Sequence, residues 1–139
     1  MIEFRWLEPA EIEQFVNPTC QQQGWAQLNI SETTPTCRVL GAFDGVRLVG
    51  FAKVVDDGGV HGFLLDPMVS LALRRRGVGT DLVLACVAEA KRRGIEWLHV
   101  DFEPPLEPFY RRCGFVPSMA GVMNLQIEPS NKAPVQIDR

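Results

Sequence analysis

Apolar and polar residues alternate at the start of the chain: Ile2, Phe4 and Trp6 are interleaved with Glu3 and Arg5. A period of two predicts a half-buried strand over residues 2–7. Pro9 then opens a stretch in which Ile12, Phe15 and Val16 recur at three-to-four spacing, the stripe of an amphipathic helix. Pro18 interrupts that stripe, and a second amphipathic piece runs around residues 25–30. The region therefore reads as two short helices or one broken helix. Residues 31–36 form a polar loop containing Pro35.

The segment from 37 to 55 reads as a hairpin, because two apolar runs flank Asp44-Gly45, a dipeptide suited to the positive φ of a tight primed turn. Asp56-Asp57-Gly58-Gly59 supplies a second turn and residues 60–69 resume the apolar run, which predicts a three-stranded antiparallel meander. Pro67 within the third of these strands predicts a bulge or a break in the ladder. The period then changes. After Gly79, the residues Leu82, Val83, Cys86, Val87 and Ala90 form a helical stripe that ends at Lys91-Arg92-Arg93-Gly94. Residues 95–102 follow as a further strand, and a strand–helix–strand path implies a right-handed crossover and parallel pairing. The sheet is therefore expected to be mixed, within an α/β fold. A short helix around 108–113 stops at Gly114, and 115–116 and 122–127 are terminal strand candidates. One domain over residues 1–128 and a polar tail over 129–139 complete the expected organisation.

Composition narrows the function classes. A chain of 139 residues, 46% hydrophobic and 22% charged, fits one domain with a real core. Charge or glycine breaks every apolar run well before the ~20 residues of a membrane span. The first residues lack the basic-then-apolar order of a secretory signal, so the expected location is the cytoplasm, with no membrane partner. Cysteines 20, 37, 86 and 113 make no C-x-x-C pair, and His61 and His99 are far apart in sequence, so no metal site is expected. A formal charge of −3 argues against nucleic acid. Local positive charge survives in two clusters, Arg74-Arg75-Arg76 and Arg111-Arg112, as a small anionic ligand would require.

The informative segment is residues 69–83, where Arg74-x-x-Gly77-x-Gly79 lies between a strand and the start of a helix. Glycines there let a ligand approach the backbone, and the N–H groups of the loop and first helical turn suit an anion such as pyrophosphate. Taken by itself the same spacing also suits a plain strand-to-helix turn with solvated arginines. The segment lacks the Gly-Lys-Ser/Thr ending of a Walker loop and the third glycine of a dinucleotide fingerprint.

Residues 69–94 resemble the acyl-CoA-binding segment of the GNAT superfamily of N-acetyltransferases, with Val69 and Asp66 at the apolar and acidic positions common before the motif. Phe109-Tyr110-Arg111-Arg112-Cys113-Gly114-Phe115 resembles a second hallmark of that family. Two departures stand out: Leu71 replaces a usual proline, and Glu103-Pro104-Pro105 replaces a common asparagine. The resemblance implies a GNAT-type fold, an antiparallel meander followed by a β-α-β crossover with splayed central strands. It implies acetyl-CoA as acyl donor and direct transfer to a primary amine. It assigns pyrophosphate binding to Arg74, Arg75, Arg76, Gly77, Val78, Gly79 and Thr80, polarisation of the thioester carbonyl to the N–H of Val69, and the general acid to Tyr110.

Three residues remain candidates for the general base: Asp66, His61 and Glu103. Each also has an ordinary reading, as a turn former before Pro67, a strand residue and a helix cap. His99 is expected to be structural, Arg111 and Arg112 solvated, and Cys113 no nucleophile, since no base lies near it in sequence. By resemblance, acceptor contacts would come from residues 10–36, which carry no chemical signature beyond Trp25 and scattered amides. A small-molecule amine is the expected acceptor, a homodimer is left open, and a CoA-binding module without turnover is the rival reading.

Overall fold

The alternating apolar positions become the two faces of one five-stranded sheet. The computed structural model describes residues 1–27 and 36–127. Strands β1 (Ile2–Trp6), β2 (Cys37–Asp44), β3 (Arg47–Asp56), β4 (His61–Val69) and β5 (Trp97–Val100) lie in that order. β1 through β4 pair antiparallel, and β4 and β5 pair parallel. The mixed sheet expected from the meander and crossover is what forms. The β2–β3 loop is Gly45-Val46, one residue later than the pattern suggests, since Asp44 and Arg47 pair directly. Gly45 has φ 60°, which fits a turn that needs glycine at its first central position.

Helices cover both faces. The crossover helix α3 (Val78–Arg92) buries Val78, Leu82, Val83, Cys86 and Ala90 against Leu40, Ala42, Val49, Val54 and Leu64. Burial pushes the Cys86 thiol up to about 12. Glu89 is also buried on this helix. Its hydrogen bonds to Arg92, aided by the charge of Arg38, hold its carboxyl below the usual range. On the opposite face, Leu7, Ile12, Val16 and Cys20 pack on Val39, Phe43, Leu48 and Phe51.

The N-terminal helical region is one broken run: α1 (Pro9–Glu11), a π-helical turn (Ile12–Val16) and α2 (Asn17–Gln23). Pro18 has no N–H and its ring would crowd the carbonyl four residues back. The wider turn relieves this, with Asn17 N–H donating to Ile12 C=O and the Thr19 hydroxyl to Phe15 C=O at 2.8 Å. The amphipathic piece expected around 25–30 is not helical at 25–27, because Gly24 (φ 71°) ends α2 in a left-handed turn. Trp25 instead packs edge-on against Phe51, ring centroids 6.0 Å apart. Positions 28–35, with most of the expected polar loop, and the tail 129–139 lie outside the described residues.

The expected terminal strands do not form: residues 115–116 and 122–127 are not in the sheet. Asn124 breaks the extended run, accepting from Gln126 N–H at its side chain (2.9 Å) and from Ile127 N–H at its carbonyl (3.4 Å). Leu125 is left 87% exposed. Among the described residues, no helix is long and apolar enough to cross a membrane.

Candidate active site

The strands that part company are β4 and β5, the latter at the edge of the sheet and not among its central strands. β4 and β5 pair over only four residues, from His61↔Trp97 to Leu64↔Val100. β4 runs on to Val69 while the chain after Val100 leaves the sheet, so a wedge opens between them. Backbone groups alternate in direction along a strand. Ser70 N–H donates to Val49 C=O in β3 at 2.8 Å, and the Met68 carbonyl also faces β3, beside Gly50. Val69 therefore points its N–H and C=O the other way, into the wedge. Its C=O accepts from Arg74 Nε at 3.2 Å. Among the described residues, no strand lies opposite its N–H.

The same strand is irregular just before Val69. Phe51 pairs with Met68 and Lys53 with Leu65, so Ala52 alone faces Asp66 and Pro67 together. This is the bulge expected from Pro67, which cannot donate to a ladder. Asp66 takes φ 52°, a left-handed conformation uncommon outside glycine. Its Oδ2 lies 3.2 Å from Nζ of Lys53, a residue only 7% exposed.

Beyond β4, a 3-10 turn (Leu71–Leu73) leads into the arginine–glycine loop and the N-terminus of α3. Arg75 (φ 65°) and Gly77 (φ 80°) are both left-handed, which turns successive amides outward. The first helical bond runs from Asp81 N–H to Gly77 C=O at 3.0 Å. The N–H groups of Val78, Gly79 and Thr80 are thus left without intrahelical acceptors, as at any helix start. A Cβ at Gly77 would meet nothing within 4 Å, so the loop is open above it. Arg74, Arg75 and Arg76 are exposed around it. Free amides, clustered guanidinium groups and open space fit the diphosphate of a CoA-type ligand.

Helix α4 (Glu107–Arg112) closes the wedge from the other side. Ring carbons of Phe109 lie 3.6 Å from where a Gly79 Cβ would stand, with Val69 Cγ2 at 3.8 Å from the same point. Tyr110, next to it, is 4% exposed. Its ring stacks on Phe102 (4.8 Å) and meets Phe109 and Phe115 edge-on. Burial pushes its hydroxyl up to about 12, so it stays protonated across the physiological range. Arg111 is tied to Glu107 at 2.9 Å, and burial raises the Cys113 thiol.

The base candidates separate. Asp66 sits at the bulge beside the wedge. Glu103 follows the end of β5 and precedes the 3-10 turn Pro104–Leu106, its side chain exposed and making no cap bond. His61 starts β4, eight residues before Val69 and so roughly 25 Å away along the strand. It contacts His99, Nδ1 to Nε2 at 3.1 Å, and His99 stacks on Phe63. The histidines therefore tie the closed end of the wedge and do not reach its mouth. Lys53 was not visible as a site residue in the sequence. The one signal was a lysine inside the apolar run of β3.

The profile described as the acetyltransferase (GNAT) family matches residues 2–115. A probable glucosamine 6-phosphate N-acetyltransferase 2 of Oryza sativa subsp. japonica is 38% identical over 64 residues, 46% of this chain and 39% of that protein. The chain spans between 39% and 51% of the curated relatives it matches. The crystal structure of glucosamine-6-phosphate N-acetyltransferase from Arabidopsis thaliana superposes with TM-score 0.72 at 14% identity, covering 89% of this chain and 97% of that one. AAC(6')-Iy in complex with the bisubstrate analog CoA-S-monomethyl-acetylneamine gives TM-score 0.73 at 16% identity, covering 89% and 97%. These superpositions extend the agreement in fold to nearly the whole of both chains.

Proposed function

Because the chain belongs to the acetyltransferase (GNAT) family, we propose that it transfers an acetyl group from acetyl-CoA to a primary amine of a small molecule by direct transfer. One observation carries the reading: the Val69 N–H faces an open wedge whose far wall is the amide-rich start of α3. Acetyl-CoA supplies the activated thioester. The amides from Arg75 to Thr80, with Arg74, Arg75 and Arg76, hold its diphosphate. Val69 N–H donates to the carbonyl oxygen, a bond that strengthens as negative charge develops there. Asp66 takes the proton of the attacking amine, with Glu103 as the other candidate. The Tyr110 hydroxyl, with its proton held at about 12, is a poor match for full transfer to a thiolate of roughly 8.5. It acts as a hydrogen-bond donor to the departing sulfur. Relatives named for glucosamine 6-phosphate make a phosphorylated amino sugar the first acceptor to test.

The burial of Tyr110 favours the second reading, a CoA-binding module without turnover. Thiol release from acetyl-CoA decides between them, measured against glucosamine 6-phosphate, an aminoglycoside, a polyamine and an amino acid. Turnover with any of these supports the enzyme. Tight CoA binding with no turnover on the whole panel supports the module. Stabilisation by ATP or NAD and none by CoA overturns both.

A further inference from the structure

The middle of β3 hides a cation where its neighbours are apolar. Lys53 lies between Ala52 and Val54, both fully buried, and is itself 7% exposed. Lysine is rarely buried unless paired, and exchanging a buried ion pair for apolar residues is often neutral or stabilising. Packing alone would favour leucine or methionine at this position. The ammonium lies 3.2 Å from Asp66 Oδ2, while the Asp66 side chain is 56% exposed. Asp66 adds a second costly feature at the same contact, a left-handed backbone at φ 52° inside the β4 bulge. Backbone strain persists only where surrounding structure enforces it, and such strain concentrates at functional sites. Here a buried cation and a strained anion meet three residues before Val69.

We propose that Lys53 is the positioning residue for Asp66. Its ammonium, anchored in the rigid centre of the sheet, engages Oδ2 and fixes the carboxylate at the bulge, leaving Oδ1 for the acceptor amine. Lys53 touches neither substrate. The inference rests on the acetyltransferase reading with Asp66 as proton acceptor, and it adds the reason why a half-exposed carboxylate keeps one geometry.

The test is a double-mutant cycle in the full chain, read by thiol release with the best acceptor and by CoA titration. Lys53→Met, an apolar exchange of similar length, should keep the melting temperature and CoA affinity while kcat falls about 10- to 100-fold, the range seen for supporting groups. Asp66→Asn should lower kcat at least as much. The double variant should be no slower than Asp66→Asn alone, because Lys53 acts through the carboxylate. Lys53→Arg should recover part of the loss. If Lys53→Met does not fold, Lys53→Gln, which donates without charge, reads the same kcat. Parent-like kcat in Lys53→Met, or in Lys53→Gln where the methionine variant does not fold, or additive losses in the double variant, overturns the inference while the enzyme reading stands. Absence of turnover in the parent protein overturns both.

Discussion

Tyr110 is the only tyrosine in the chain, and its ring sits among Phe102, Phe109 and Phe115. Removing that oxygen while keeping the ring is therefore a clean probe. If the hydroxyl donates to the departing sulfur, Tyr110→Phe should keep CoA affinity and lower kcat by roughly 10²-fold, the lower end of the range for general acid–base groups. Steady-state kinetics with CoA titration checks this, and unchanged kcat would show that the departing sulfur does not depend on this donor. Two features of the site were legible as residues: the tyrosine helix and the arginine–glycine loop are short contiguous patterns. The Lys53–Asp66 contact was not legible, because it joins neighbouring strands through a bulge whose register the local pattern does not state. The same holds for His61 and His99, which are 38 positions apart and touch only because β4 and β5 pair in parallel.

At the level of elements, the start of α3 makes a sharp distinction between its two glycines. Gly77 is left-handed at φ 80° with open space around it, whereas Gly79 lies inside the first helical turn with Phe109 and Val69 at ordinary contact distance. Gly77→Ala should cost roughly 1 kcal/mol through backbone strain, and Gly77→Asp should also abolish CoA binding by placing a carboxylate at the diphosphate amides. Gly79→Ala should leave stability within about 0.5 kcal/mol, since a methyl fits there and alanine favours the helix. Urea unfolding with CoA titration separates the cases, and equal behaviour of the two alanine variants would refute the distinction. Elements with strong local signals came out as the pattern predicts: α3, with its stripe and its Gly94 stop, and the glycine-turned meander. The π-turn before Pro18 depends on that proline's missing N–H and its ring, and the lost strand at 122–127 on competition between a side chain and its own backbone at Asn124. Hydrophobic periodicity does not record that competition.

For the molecule as a whole, ligand and proton linkage give two expectations. CoA at 100 times its dissociation constant should add about 2.7 kcal/mol, a rise of roughly 8 °C in Tm, with no comparable rise from ATP. The proton term comes from the core between α3, α4 and the sheet, where Cys86 and Tyr110 are both held at about 12, against ordinary values of 9.0 and 10.0. Burial raises both, so the folded chain keeps protons that the unfolded chain releases above about pH 9. Stability from these groups is therefore fully present at neutral pH and is lost as pH climbs from about 9 toward 12. Between each group's two values the loss is about 1 kcal/mol per pH unit. Urea midpoints should hold from pH 7 to 8.5 and fall by pH 10.5. Cys86→Ala should flatten the first part of that fall, because the thiol titrates in the unfolded chain before the phenol does. A midpoint unchanged to pH 10.5, or a Cys86→Ala variant with the same slope as the parent, would show that these groups ionise in the folded core as easily as in water.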